Sequence, residues 1–277
     1  MTVDTKPLGR TGVQVPEIGL GTWNYQGDPA VVHAALEQGS FLLDTAESYG
    51  TESQVGQAIA DNRDAYFVAT KVSASHFRRA DLLKSADASL GKLGIDTIDL
   101  YQLHSPSATI PIAETMAAMD ELVGAGKVRH VGVSNFSVDE MQAAENALQS
   151  GSVVENQIKF SMWDHGFADT VIPYCEENGV TVLAYSSLEQ GRFEAELKSK
   201  PKLAEVMARV CVETGKTPAQ VIMNWVLRSP VVITIPQTNR AERVPENAGA
   251  AGWRLTDEQH SDLAAAAGNH GARYWWR

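Results

Sequence analysis

The chain has 277 residues, of which 44% are hydrophobic, so it can bury a large core as one large domain or as two smaller ones. Its formal net charge of -11 argues against nucleic acid and against an anionic membrane as partners, because both would repel the protein. A small molecule is therefore the expected partner.

The first predicted element is a small β-hairpin at residues 6–16, where apolar and polar side chains alternate around Gly9 and Gly12. From Glu17 onward, short apolar segments alternate with helix-like segments. The run at residues 41–46 is typical of a strand that is buried on both faces. The predicted strands cover residues 18–21, 41–46, 65–72, 95–104, 128–135, 153–160, 180–188 and 231–238.

Amphipathic segments follow each of these strands. The predicted helices cover residues 29–38, 51–61, 80–93, 112–124, 137–148, 167–178 and 201–228. Gly215 and Pro218 are expected to divide the last of them in two. A segment at 240–249 and a final helix at 256–267 complete the pattern.

Eight strand-and-helix units without a low-complexity linker predict one closed (β/α)8 barrel domain over residues 1–277. The hairpin at 6–16 precedes the barrel, and a C-terminal helix with its tail at 256–277 follows it. An open doubly wound sheet is the alternative, since residues 19–21 and Asp44 imitate a dinucleotide-binding fingerprint. Asn24 occupies the position of the third glycine, so the barrel is favoured.

The cysteines, histidines and apolar runs restrict the remaining possibilities. Cys175 and Cys211 lie far apart, so neither a disulfide framework nor a cysteine-ligated zinc site is expected. The histidines show no ligand-like spacing, which predicts no catalytic metal. The N-terminus lacks an apolar core, and no apolar run reaches the ~18 residues that span a bilayer. We expect a cytoplasmic protein, either a monomer or a dimer.

Polar side chains stand at the predicted ends of successive strands, and in a parallel barrel these ends converge on one mouth. Any one of them could instead cap a helix or pack against a neighbour. Their coincidence on most strands favours a functional site. The strand-end residues are Thr22, Trp23, Asp44 with Tyr49 beyond it, Lys71, His104, Ser134, Asn135, Gln157, Tyr185, Ser186, Pro236, Gln237 and Thr238.

Four of these side chains permit carbonyl chemistry. The phenol of Tyr49 has a free pKa of about 10, and an ammonium group at Lys71 would lower it. Asp44 would keep Lys71 charged in an apolar mouth, and His104 would supply a neutral imidazole donor. Together they could polarise a carbonyl group and protonate its oxygen, while the hydride must come from a cofactor.

Eight segments of the chain resemble the motifs of the aldo-keto reductases, in the order of that family. They are GLGTW (19–23), LLDTAESYG (42–50), ATKV (69–72), LYQLHSP (100–106), GVSNFS (132–137), ENQ (155–157), LAYSSL (183–188) and ITIPQTNRAERVPEN (233–247). The resemblance implies a (β/α)8 barrel with a nicotinamide cofactor bound extended across its mouth. It also implies a catalytic tetrad of Asp44, Tyr49, Lys71 and His104, with Tyr49 as the general acid.

The same resemblance implies a set of cofactor-binding residues. Ser134, Asn135 and Gln157 would hold the carboxamide, and Tyr185 would stack on the nicotinamide ring. The full set is Gly21, Thr22, Trp23, Ser134, Asn135, Gln157, Tyr185, Ser186, Leu188, Gln190, Gly191, Pro236, Gln237, Thr238, Arg240, Arg243, Glu246 and Asn247. Within this set, the residues from Ser186 to Gly191 correspond to the pyrophosphate and those from Gln237 onward to the adenosine end.

The choice between NADPH and NADH depends on the adenosine end. A guanidinium at Arg243 can pair with a 2′-phosphate, which favours NADPH. Gln237 stands where many family members have a lysine, and Arg240 could replace that contact. The alternative is that both arginines only form a solvated helix start. NADPH is the expected cofactor, with the use of both NADPH and NADH as the main alternative.

The substrate pocket is expected to be lined by Trp23, Tyr49, His104 and Trp163. For Trp163, a structural role between barrel and loop is an equal alternative. Residues 186–200 predict a short, charged lid that leaves the pocket open. The aromatic tail at 272–277 could fold over the mouth, form a subunit contact or pack on the exterior.

The predicted function is the reversible, NAD(P)H-dependent reduction of aldehydes or ketones, with the proton supplied by Tyr49. One alternative is a lyase or isomerase that uses Lys71 as an imine nucleophile, although a lysine paired with Asp44 is a poor nucleophile. The other is a nicotinamide-binding regulatory or structural protein on the same scaffold. The complete tetrad disfavours this last alternative.

Overall fold

The computed structural model of the protein describes residues 3–166 and 168–268. The strands are β1 (Thr5–Pro7), β2 (Gln14–Pro16), β3 (Leu20–Gly21), β4 (Leu42–Asp44), β5 (Phe67–Val72), β6 (Ile98–Leu103), β7 (Val128–Ser134), β8 (Val153–Lys159), β9 (Thr181–Tyr185) and β10 (Val232–Thr234). The aromatic tail at 272–277 lies outside the described residues, as does Phe167, the first residue of the predicted sixth helix.

Helices alternate with the strands of the barrel. They are α1 (Pro29–Glu37), α2 (Glu52–Ile59), α3 (Arg79–Leu93), α4 (Ile112–Gly124), α5 (Val138–Ala147), α6 (Val171–Asn178), α7 (Phe193–Ser199), α8 (Pro201–Thr214), α9 (Pro218–Val226), α10 (Val244–Ala248) and α11 (Asp257–Ala267). Among the described residues, none of these helices has both the length and the apolar composition that crossing a membrane requires.

Strands β3 to β10 form one sheet in chain order, and every neighbouring pair is parallel. Its two edges meet where Ile18 pairs with Thr234 and Gly21 pairs with Gln237. The Gly19 N–H donates to the Thr234 carbonyl across this seam at 2.8 Å. The sheet is therefore a closed barrel, and the predicted (β/α)8 fold is confirmed.

The strands read as continuous apolar runs because they are buried on both faces. Every residue of β5 and of β6 is buried. One set of apolar side chains, the outer core, fills the space between strands and helices. A second set, the inner core, fills the barrel interior and includes Leu42, Leu100 and Ile233. The inner core keeps water out of the space below the mouth.

The predicted N-terminal hairpin closes the bottom of the barrel. β1 and β2 pair in antiparallel register, and Leu8 and Val15 belong to the inner core. Lys6 is buried, and its Nζ donates to the carbonyls of Leu227, Ser229 and Val232 at 3.1, 2.9 and 2.8 Å. These bonds anchor the hairpin to the end of α9.

The long helical region divides where the sequence predicts. Gly215 ends α8 with a left-handed φ of 67°, and Thr217 begins α9 in a capping box with Gln220. Other boundaries differ from the prediction, among them the end of the last strand, since β10 ends at Thr234 and not at residue 238. α6 begins at Val171, and the predicted charged lid contains a helix of its own, α7.

Candidate active site

The barrel brings the four predicted catalytic side chains together at its C-terminal mouth. Asp44 ends β4, Lys71 lies in β5, and His104 directly follows β6. Tyr49 ends a short 3-10 turn, Glu47–Tyr49, which follows β4. Parallel strands place these groups side by side because their C-terminal ends share one edge of the sheet.

Lys71 is the centre of a buried ionic cluster. Its side chain is 0% exposed, and Nζ donates to Asp44 Oδ2 at 2.7 Å and to the Thr45 carbonyl at 2.8 Å. Nζ also lies 3.4 Å from the Tyr49 hydroxyl. Burial acts to lower the pKa of Lys71, but Asp44 and Tyr49 outweigh burial, so the pKa is raised. Lys71 is therefore an ammonium group, not a free amine.

The phenol of Tyr49 is held in its protonated form. Burial raises the pKa of Tyr49, the Lys71 ammonium lowers it, and the Asp44 carboxylate raises it again. Lys71 acts on the pKa in the direction that the sequence predicts, but burial outweighs it, so the net pKa of Tyr49 is raised. A protonated phenol next to an ammonium group can donate a proton and leave a stabilised phenolate.

His104 supplies a neutral imidazole beside this phenol. The two ring centroids are 5.6 Å apart at an interplanar angle of 75°, and Nδ1 lies 3.4 Å from the Ser48 hydroxyl. Burial, together with the charge of Lys71, lowers the pKa of His104 to about 3. A neutral imidazole has one N–H, which suits it to bind a carbonyl oxygen.

Two amides fix the remaining oxygen of Asp44. Oδ1 accepts from Gln157 Nε2 at 2.7 Å and from Gln102 Nε2 at 3.3 Å. Gln157 Nε2 also donates to Gln102 Oε1 at 3.1 Å. Gln102 is absent from the predicted site, although it lies two positions before His104 and therefore on the same face of the strand. The alternation of β6 was the signal that could have identified it.

A cavity of about 690 Å³ extends from these groups along the mouth. Its lining residues are Gly21, Trp23, Asn24, Asp44, Ser48, Tyr49, His104, Ser134, Asn135, Gln157, Tyr185, Ser186, Ser187, Leu188, Gln190, Gly191, Ile235, Pro236 and Gln237. The structure thus unites most of the predicted cofactor-binding residues in one cavity with Asp44, Tyr49 and His104, while Lys71 is buried behind them. Asn24, Ser48, Ser187 and Ile235 are additional lining residues that the sequence did not single out.

Asn135 links three strands at the wall of this cavity. It has a left-handed φ of 64°, and its Nδ2 donates to the His104 carbonyl at 3.2 Å and to Ser134 Oγ at 2.9 Å. The Tyr185 hydroxyl donates to Asn135 Oδ1 at 3.0 Å. These bonds fix the tyrosine ring against the cavity.

A family model described as the aldo/keto reductase family matches residues 17–267. The chain belongs to the aldo/keto reductase family. It is 32% identical to the methylglyoxal reductase YeaE of Escherichia coli (strain K12), over 92% of each chain.

Two solved structures of the family resemble this barrel closely. The thermostable aldo-keto reductase Tm1743, solved with the inhibitor epalrestat, has a TM-score of 0.87 at 34% identity, covering 95% of this chain and 100% of its own. The aldo/keto reductase from Klebsiella pneumoniae, solved with NADP and acetate, has a TM-score of 0.86 at 32% identity and 95% coverage of each chain. The arrangement of the mouth can therefore be interpreted as that of an aldo-keto reductase.

Several predicted residues of this aldo-keto reductase lie outside the cavity. Trp163 is 1% exposed, belongs to the outer core and does not line the cavity, whereas Trp23 is 52% exposed at the mouth. The position of Trp163 therefore fits a structural role between barrel and loop, not a role in the substrate pocket. The other predicted residues that do not line the cavity are the buried Lys71 and, from the cofactor-binding set, Thr22, Thr238, Arg240, Arg243, Glu246 and Asn247.

These outlying residues have identifiable contacts. Thr22 is buried, and its hydroxyl donates to the Asp44 carbonyl at 2.9 Å. On the rim, Arg243 Nη1 pairs with Glu246 Oε2 at 2.9 Å. Arg240 Nε pairs likewise with Glu242 at 2.8 Å. Within the described ranges, no group of three or more His, Cys, Asp or Glu side chains is arranged to hold a metal ion.

Proposed function

We propose that this protein is an NADPH-dependent reductase of aldehydes or ketones in which Tyr49 protonates the carbonyl oxygen. The observation that carries the proposal is the Tyr49 hydroxyl, which is protonated, lies 3.4 Å from the Lys71 ammonium and faces a neutral imidazole. The same groups serve the reverse oxidation of an alcohol. Membership of the aldo/keto reductase family supports this reaction class.

The cavity suits an extended dinucleotide. Asn135 and Gln157 present amide groups beside the tetrad, and Tyr185 presents a ring at the wall. In the segment 186–191, Ser186 and Gly191 line the cavity with small side chains and a left-handed backbone, so the backbone there is open to an anionic ligand. Related structures contain NADP or NADPH. Bound there, NADPH would supply the hydride.

The protein residues then control the proton and the developing charge. His104 donates its N–H to the carbonyl oxygen and orients it towards Tyr49. As negative charge develops on that oxygen, the phenol transfers its proton. Lys71 stabilises the phenolate that remains, and Asp44 keeps Lys71 charged throughout. Exclusion of water by the inner core strengthens each of these interactions.

A small, neutral carbonyl compound of the 2-oxoaldehyde class is the proposed substrate. Several relatives are named methylglyoxal reductases. Among the described residues, the cavity lining contains no arginine or lysine that could pair with a substrate carboxylate. We expect methylglyoxal to be reduced with a higher kcat/KM than a 2-oxo acid of the same length, and the opposite ranking would contradict this assignment.

The proposal is tested by the oxidation of NADPH with a panel of aldehydes and ketones, followed by absorbance. Tyr49→Phe is expected to lower kcat by about 10²-fold or more, because the general acid is lost. Binding of NADPH, measured by fluorescence quenching, should be unchanged in this variant. Full activity in Tyr49→Phe would remove the general-acid assignment. Tight NADPH binding by the wild type without any carbonyl reduction would support the regulatory alternative.

Cofactor selectivity has a separate test. Arg243 is paired only with Glu246 on an exposed rim, so its guanidinium remains accessible to a 2′-phosphate. We expect Arg243→Ala to lower the ratio of kcat/KM for NADPH over NADH by about tenfold or more, since a charge-assisted bond is lost. Arg228→Ala serves as the matched control, because Arg228 is also an exposed arginine in an ion pair but lies outside the predicted cofactor-binding set. If the ratio is unchanged in Arg243→Ala, residues other than Arg243 determine the preference for NADPH over NADH.

A further inference from the structure

Glu155 is a buried carboxyl group inside the barrel for which the proposed reaction has no use. It lies on β8 two positions before Gln157, so both side chains are on the same face of the strand. Glu155 is 1% exposed. Neither carboxyl oxygen has a hydrogen-bond partner among the described residues. Such a group is costly as a carboxylate and much less so as a neutral acid.

Two local features make room for this side chain. β8 has one extra residue relative to β7, because Val131 pairs with Val153 and the next residue, Gly132, pairs with Glu155. Such a bulge redirects the side chains around it. A Cβ atom at Gly132 would lie 2.4 Å from Glu155 Oε2 and 3.1 Å from Gln102 Cγ. The backbone of both strands therefore accommodates the carboxyl group directly beside the amide network of Asp44.

The titratable groups around Glu155 favour its neutral form. Burial raises the pKa of Glu155 well above its ordinary value, Asp44 raises it further, and Lys71 lowers it. From α6, outside the barrel, the thiol of Cys175 is the other ionisable neighbour, and its own pKa is raised to about 12. On the same face of β7 lies His130, which stacks on a phenylalanine and whose pKa burial lowers. These last two groups carry no charge at neutral pH.

We propose that Glu155 is a positioning residue of the carbonyl reduction, a second buried carboxyl group that acts on Tyr49 through the pair of Asp44 and Lys71. When Glu155 ionises in alkaline solution, a second carboxylate in the barrel favours the ammonium form of Lys71. Because Lys71 lies beside the Tyr49 hydroxyl, the charge state of Glu155 then affects the pH range over which the general acid works. This inference rests on the proposed reduction with Tyr49 as its acid.

The first test reads the protonation state directly. The infrared band of a protonated carboxyl group should be present in the wild type at neutral pH, disappear in Glu155→Gln and convert to a carboxylate band as the pH rises. Glu52→Gln is the matched control, because Glu52 is equally buried but accepts from the Thr70 hydroxyl at 2.7 Å outside the barrel interior. If Glu155→Gln does not fold, Glu155→Met replaces it. A Glu155 carboxylate at neutral pH overturns the proposal.

The second test reads the effect on the reaction. In Glu155→Gln, activity at neutral pH should stay within about threefold of the wild type, since a neutral amide replaces a neutral acid. The alkaline limb of kcat/KM for reduction should move to lower pH by about half a unit or more. Superimposable profiles would refute the role. A wild type without any carbonyl reduction would refute the proposed function instead, while the infrared result would still decide the state of Glu155.

Discussion

Removal of the Lys71 ammonium tests how much the buried ion pair contributes to stability. Lys71→Met keeps most of the side-chain volume but leaves the Asp44 carboxylate buried without its cation. At the observed Nζ to Oδ2 distance of 2.7 Å, an effective dielectric of about 20 gives an attraction of about 6 kcal/mol. Asp44 retains its bonds from Gln157 and Gln102, so the expected loss of unfolding free energy is about 3 to 5 kcal/mol.

Urea unfolding of Lys71→Met beside the wild type measures this loss of unfolding free energy. Adding Asp44→Asn to Lys71→Met removes the stranded charge and should restore at least about half of the loss. Lys127→Met is the control, since Lys127 pairs at 2.5 Å with Asp87 on the surface, where such pairs contribute about 0 to 1 kcal/mol. If Lys71→Met costs no more than this control, or if the double variant is no more stable than the single one, the buried ion pair does not have the stabilising role assigned to it.

Two further predictions concern protonation and packing. Because the pKa of His104 is about 3, its imidazole resonances in a labelled sample should not shift between about pH 5 and pH 8, and a titration near the ordinary value would contradict its neutral role. Gly56→Ala should lower stability by about 1 to 3 kcal/mol, since its Cβ would lie 2.4 Å from the Leu93 carbonyl. A Cβ atom at Gly91 would meet no other atom within 4 Å, so Gly91→Ala should instead raise stability by about 0.5 to 1 kcal/mol. Thermal unfolding of both variants beside the wild type measures the two changes.

Most of the fold was predictable because its signals are local. Each strand of a closed parallel barrel is buried on both faces, so it appears in the sequence as a short apolar run. The division between α8 and α9 is marked by Gly215 and by the capping box at Thr217. α7 shows the limit of such signals. None of its residues is fully buried, and its single apolar pair at helical spacing, Phe193 and Leu197, is too little to distinguish it from a charged loop.

The residues at the mouth were predictable, but the balance of forces among them was not. Asp44, Lys71 and His104 follow from the positions where strands end. The pKa of Tyr49 depends on how much solvent the folded rim removes from its hydroxyl group. That degree of burial cannot be predicted from the sequence alone. The position of Glu155 depends on a bulge of one residue, and nothing in the run from Val153 marks it. Whether the side chain of Trp163 lines the cavity likewise depends on the path of the loop after β8.

The seam of the barrel also affects synthesis of the protein. Ile18 leaves the ribosome early, whereas its partner Thr234 emerges roughly 200 residues later, about 10 to 40 s at ordinary rates of translation. During that interval the nascent sheet has an unpaired edge, which invites pairing with other chains. β3 is only two residues long, so the exposed edge offers few backbone groups to a competing strand. The shortness of β3, the first strand of the barrel, thus limits pairing with other chains until β10 has been synthesised.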